Sequence, residues 1–65
     1  MSFASARKKA GYTQAEVGER LKVHQSAVAQ WENGLTSPTA SKLVELAKLY
    51  HCTVDELLKR GETDA

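Results

Sequence analysis

The chain has 65 residues, a single cysteine and a formal net charge of +1. That length holds one domain with a limited core, and Cys52 alone excludes an internal disulfide framework or a metal quartet. No apolar run approaches the roughly 20 residues of a membrane span and the N-terminus lacks a signal-peptide core, so a cytoplasmic protein is expected, in which any polyanion is met by the placement of cations rather than their number.

Ser2 to Ala10 reads as a short helix with Phe3, Ala6, Arg7 and Ala10 on one face and Lys8 and Lys9 pointing away. A charge on the buried side needs a partner. Glu32, at the edge of the apolar arc of a later helix, is the expected one. Gly11 stops this helix. Thr13-Gln14-Ala15-Glu16 is a capping box that opens a second helix, Gln14 to Leu21. Val17 and Leu21 are its buried residues. Gly18 lies between them, and its cost of about 1 kcal/mol against alanine is compensated if it admits close helix–helix approach. A tight turn follows at Lys22-Val23-His24, with Val23 plugging the angle.

The third helix is Gln25 to Asn33, closed by Gly34. At about 100° per residue, Ala27, Val28 and Trp31 fall within one arc. Gln25, Ser26, Ala29, Gln30 and Asn33 fall on the other. This second face carries short uncharged groups that donate, accept or touch a methyl, as base-edge reading in a major groove requires. A polar face with no ligand fits the same pattern, and periodicity alone does not choose. Leu35-Thr36-Ser37-Pro38 is a loop, and Ser37 or Thr39 caps a fourth helix reaching about Tyr50. Its core stripe is Ala40, Leu43, Leu46, Ala47 and Tyr50, with Leu49 on a different face. After the His51-Cys52 turn, Thr53-Val54-Asp55-Glu56 is a second capping box opening a fifth helix through about Lys59, with Val54 and Leu57 inward. Cys52, between apolar residues, reads as a small core group. The domain is expected over 1–60, with 61–65 a frayed polar tail.

In this order and spacing, Thr13-Gln14-Ala15-Glu16, Gly18, Leu21-Lys22-Val23, Trp31-Glu32-Asn33-Gly34, Pro38, Leu46-Ala47 and Asp55-Glu56-Leu57 resemble the Cro and phage-repressor type (XRE-like) helix-turn-helix domain over nearly the whole chain. The resemblance implies an all-α, five-helix, lambda-repressor-like fold with the third helix in the major groove of double-stranded DNA. It implies that Gln25, Ser26, Ala29 and Gln30 read bases. Adenine is the first expectation for Gln25, since glutamine pairs with its N6 and N7. It also implies phosphate contacts from the Gln14 amide at a helix N-terminus and from Asn33, Thr36 and Ser37. Lys22 and His24 are further phosphate candidates. The Arg7–Glu32 pair matches a recurring ion pair of phage repressors.

Four positions depart from the family pattern. Lys22 stands at a usual glycine, which calls for a left-handed residue at about 1 kcal/mol or a different turn. His24 stands at a usual Ser or Thr cap, so the third helix is expected to start less well capped. His51 replaces a common glycine. Leu35 replaces a residue that is often polar, which points to a protein contact.

The expected function is a sequence-specific DNA-binding transcriptional regulator, a repressor acting as a homodimer whose two copies read half-sites about 34 Å apart. Leu35, Leu49 and Leu58 lack a place in the core and are candidates for a two-fold interface; scattered surface leucines are the plain alternative. Phosphate charge is expected to meet some of Arg7, Lys8, Lys9, Arg20, Lys22 and Lys42. A protein-interaction module, such as an antitoxin or a coactivator-like adaptor, is the rival of another class. An enzyme is not expected, because neither histidine stands in a metal-ligand spacing and no glycine-rich phosphate loop is present. No cofactor, metal, membrane or small-molecule ligand is expected, nor a separate sensing domain in so short a chain.

Overall fold

The computed structural model describes residues 2–58. Its five helices are α1 (Phe3–Ala10), α2 (Gln14–Leu21), α3 (Gln25–Asn33), α4 (Ala40–Leu49) and α5 (Val54–Leu58), with no strand among the described residues. The expected extension of α5 to Lys59, the tail 61–65 and the boundary at residue 60 lie outside the described residues.

Side chains near the ends of the helices account for the boundaries. The Thr13 hydroxyl accepts from the Glu16 amide at 3.1 Å, and the Glu16 carboxylate accepts from the Thr13 amide at 2.8 Å. Thr53 and Glu56 repeat the box ahead of α5, and Ser2 with Ser5 form one ahead of α1 that has no acidic residue. Thr39, rather than Ser37, caps α4 through the Lys42 amide. Gly11 and Gly34 close α1 and α3 in the left-handed region.

The core gathers Ala6 from α1, Val17 and Leu21 from α2, Val28 and Trp31 from α3, Leu46 and Ala47 from α4, Tyr50, and Leu57 from α5. Val17, Val28 and Leu46 are almost wholly enclosed, and each such aliphatic contributes about 1.5–3 kcal/mol of transfer free energy. Two residues differ from their expected places. Ala40 is exposed rather than core: it is the first residue of α4, whose buried residues Leu46 and Ala47 lie towards its other end. Leu49, expected outside the core, is half-buried and packs against it. Both α2 and α5 meet α4, so its buried arc is wider than a single stripe. The exposed large apolar residue of α4 is Val44. Cys52 is half-buried against the core.

The α2–α3 turn departs from the glycine-bearing pattern through backbone strain. Lys22 sits at φ 61°, ψ 42°, and its amide donates to the Glu19 carbonyl at 3.3 Å. His51 is likewise left-handed, at φ 56°. A side chain costs about 1–2 kcal/mol in this region, while glycine gives back about 0.5–1 kcal/mol through the freedom of the unfolded chain. Lys22→Gly is therefore expected to raise stability by about 0.5–1 kcal/mol, read as a higher urea midpoint at unchanged slope.

Candidate nucleic-acid interface

Gly18 lets α2 and α3 close into one rigid corner. A Cβ there would stand 2.8 Å from the Val23 carbonyl oxygen and 3.3 Å from the Gln25 amide nitrogen. The Val23 amide in turn donates to the Gly18 carbonyl at 2.9 Å. The Lys42 ammonium donates to the Leu21 carbonyl at 2.7 Å, joining α4 to the end of α2. That position favours a cation, since the last carbonyls of a helix lack partners and carry the negative end of its dipole. Of the six cations of which some were expected to meet phosphate, Lys42 is engaged within the fold.

From this corner α3 presents two unlike sides. Val28 and Trp31 are buried, Trp31 at 8% exposure. Gln25, Ser26, Gln30 and Asn33 are exposed, and Ala29 is half-buried among them. Thr36 and Ser37, in the loop after α3, are exposed as well, and the Thr36 hydroxyl lies 3.4 Å from Gln30 Oε1.

His24 caps α3 in place of the usual hydroxyl, through one bond to the Ser26 amide and without the capping box that opens α1 and α2. Its Nδ1 accepts from the Ser26 amide at 3.1 Å and lies 3.0 Å from Ser26 Oγ. An accepting Nδ1 puts the ring proton of neutral His24 on Nε2. Sequence reasoning missed this because imidazole is not among the usual capping groups.

Behind the exposed side, Arg7 and Glu32 form the expected pair. Arg7 Nε donates to Glu32 Oε2 at 2.6 Å and Nη2 to Oε1 at 3.2 Å, with the side chains 12% and 6% exposed. Arg7 Nη1 also donates to the Tyr12 carbonyl at 2.9 Å, closing the α1–α2 connection. Gln14 Nε2 donates to Glu32 Oε1 at 2.9 Å, and Gln25 Nε2 donates to Gln14 Oε1 at 3.4 Å. Four side chains from three helices thus run in a line from the core to the exposed face.

Burial pushes the Glu32 carboxyl up, but the hydrogen bonds from Arg7 and Gln14 and the neighbouring positive charge outweigh it and hold the group below its ordinary range. Arg7 is raised by the same bond with Glu32, against its own burial. The Tyr50 phenol is pushed up to about 12, chiefly by burial and then by Glu32. Burial, with Glu56 nearby, raises the Cys52 thiol, which makes it less of a nucleophile.

Lys8 and Lys9 on α1, Arg20 on α2 and Lys22 in the turn are exposed cations. Arg20 lies over the Tyr12 ring, 5.1 Å from its centre. Capping leaves the amides of Gln14 and Ala15 at the start of α2 without an intrahelical acceptor. Such a helix start can receive an anion. Leu35 and Leu58 are exposed at 73% and 55%. No helix among the described residues is long and apolar enough to cross a membrane.

A family model described as Helix-turn-helix matches residues 3–57. The HTH-type transcriptional regulator ImmR of Bacillus subtilis (strain 168) is 37% identical over 65 residues, covering 91% of this chain and 51% of that protein. Repressor protein C2 of Salmonella phage P22 is 40% identical over 53 residues, covering 82% of this chain and 24% of the repressor. The HTH-type transcriptional activator BcrR of Enterococcus faecalis is 36% identical over 50 residues, covering 77% of this chain and 24% of the activator. The chain spans about half the length of the first of these relatives and about a quarter of the other two.

Proposed function

The chain belongs to the helix-turn-helix family, and from that membership we propose that it is a sequence-specific DNA-binding transcriptional regulator that lays α3 in the major groove. The observation that carries this reading is the division of α3 into a buried Trp31 side and an exposed side of amides and hydroxyls. Base edges in the major groove offer donors, acceptors and methyls that such a side can match. Gln25, Ser26 and Gln30 read bases, and Ala29 lets the helix approach closely. The Gln14 amide and the groups of Lys22, His24, Asn33, Thr36 and Ser37 hold the flanking phosphates. Since phosphate contacts release counterions, affinity falls steeply with salt.

Repression is the proposed sense of regulation, because a helix seated in a promoter groove excludes other proteins from it. The protein acts as a homodimer, since one short helix reads only a few base pairs and two copies read half-sites about 34 Å apart. Leu35 and Leu58, with Val44 in place of Leu49, are the exposed apolar residues available to a two-fold contact. No enzymatic activity is proposed, and the protein works in the cytoplasm of a bacterial host, on its nucleoid.

Selection of bound sequences from random duplexes tests the reading. An enriched, symmetric pair of half-sites is expected. On that site, Gln25→Ala weakens binding by about 1–3 kcal/mol while a scrambled duplex of equal length loses far less. Equal losses on both duplexes remove Gln25 from base reading, and no enrichment at any salt concentration removes DNA as the partner.

A further inference from the structure

We infer that His24 fixes the direction of the Ser26 hydroxyl, so that Ser26 accepts from the amino group of cytosine or adenine and disfavours guanine and thymine. This rests on the base-reading role of Ser26 proposed above. A free serine hydroxyl carries one proton and two lone pairs and rotates to suit its partner, so serine reads bases of either kind. Ser26 is not free. Its backbone amide donates to His24 Nδ1 at 3.1 Å, which requires that this nitrogen carry no proton. Ser26 Oγ lies 3.0 Å from the same nitrogen. A nitrogen that only accepts leaves one direction for that contact: the hydroxyl donates.

With its proton turned back to His24, the Ser26 hydroxyl shows lone pairs alone to the groove. Both residues are exposed, and no other side-chain hydrogen bond or ion pair reaches either of them among the described residues. In the major groove cytosine offers the N4 amino group and adenine the N6 amino group, whereas guanine offers the acceptors N7 and O6 and thymine the acceptor O4. Lone pairs match the first two. To meet guanine or thymine, the hydroxyl must leave Nδ1 and turn its proton outward. The serine or threonine usual at this cap would impose no such direction, because a hydroxyl both donates and accepts. His24 is thus a positioning residue: it acts on the base through Ser26.

The test measures equilibrium binding of the whole chain to its selected site at pH 8, where imidazole is ordinarily neutral. The base pair that Ser26 meets is the one whose discrimination Ser26→Ala removes. At that pair, an analogue without the amino group and another without the purine N7 are compared with the natural duplex. Each loss is read as a ratio of affinities, which cancels effects common to both duplexes, including those of a weakened fold. Removing the amino group is expected to cost wild type about threefold to tenfold, the net worth of one neutral hydrogen bond, and to cost Ser26→Ala little. Removing N7 should cost the two proteins alike. Glycine is tolerated at a helix N-cap, and in His24→Gly the freed hydroxyl is expected to reduce the amino-group ratio to about twofold or less. The carboxylate of His24→Asp also only accepts, so this variant should keep the ratio while binding every duplex more weakly through phosphate repulsion. A wild-type ratio in His24→Gly, equal losses in the glycine and aspartate variants, or a Ser26 contribution that depends on N7 instead of the amino group each overturns the inference while leaving DNA reading intact. If Ser26→Ala alters discrimination at no base pair, the base-reading role of Ser26 falls, and this inference with it.

Discussion

Replacing Glu32 with alanine is expected to remove about 3–5 kcal/mol of folding stability. A domain of this length holds only about 0.05–0.15 kcal/mol per residue, so the loss is a large fraction of its whole stability. The reason is the charge left behind. The Arg7 side chain is 12% exposed and loses its bonds at 2.6 and 3.2 Å, keeping only the Tyr12 carbonyl. An uncompensated guanidinium at a helix–helix contact is far worse than no charge at all. Arg7→Met with Glu32→Leu removes both charges and fills similar volume, so the double variant is expected to recover most of the loss. Urea denaturation followed by circular dichroism separates the two outcomes, and a double variant as unstable as the single would mean that the pair contributes packing rather than charge compensation.

The same pair sets an acid dependence. The folded carboxyl of Glu32 is depressed, so the unfolded chain takes up its proton first as the solution is acidified. The stability it contributes is fully present above the unfolded value of about 4.3 and is lost as pH falls through the lower, folded value. The urea midpoint of wild type should fall more steeply below about pH 4 than that of the charge-free double variant. Parallel curves would assign the acid transition to other carboxylates.

Gly18→Val is expected to cost about 3 kcal/mol, and Gly18→Ala about 1 kcal/mol net. Alanine is the better helix former by about 1 kcal/mol, which offsets part of the clash. The added Cβ meets backbone, the Val23 carbonyl at 2.8 Å and the Gln25 amide at 3.3 Å, so no side chain can turn aside to relieve it. Relief requires α3 to move away from α2, and α3 carries Trp31 in the core and Gln25 against Gln14. The substitutions should therefore weaken site-specific DNA binding beyond what the loss of folded protein explains, measured on the folded fraction. A Gly18→Ala protein as stable as wild type, with unchanged binding, would show that the corner yields.

Much of this was legible in local sequence. The Thr13–Glu16 box and Gly34 mark the limits of α2 and α3 because a cap involves residues three or four apart and needs no distant partner. Arg7 on an apolar face required an opposite charge, and Glu32 was the carboxylate at the edge of the facing arc. Gly18 in mid-helix required a close approach. The misreadings share a different cause. Leu49 was placed outside the core because a single stripe was read for α4, whereas both α2 and α5 pack on it. Lys42 was left among the possible phosphate cations because no sequence pattern says that its ammonium lies beside the carbonyl of Leu21, 21 residues away. The imidazole cap of His24 needed the turn geometry set by a left-handed Lys22.

Periodicity and capping chemistry, which act within a turn or two of chain, determined the helices, the buried arc of α3 and the amides on its other side. The direction of each hydrogen bond from Arg7 through Glu32 and Gln14 to Gln25 was decided only when three helices met, because an amide can face either way until an acceptor-only carboxylate is brought against it.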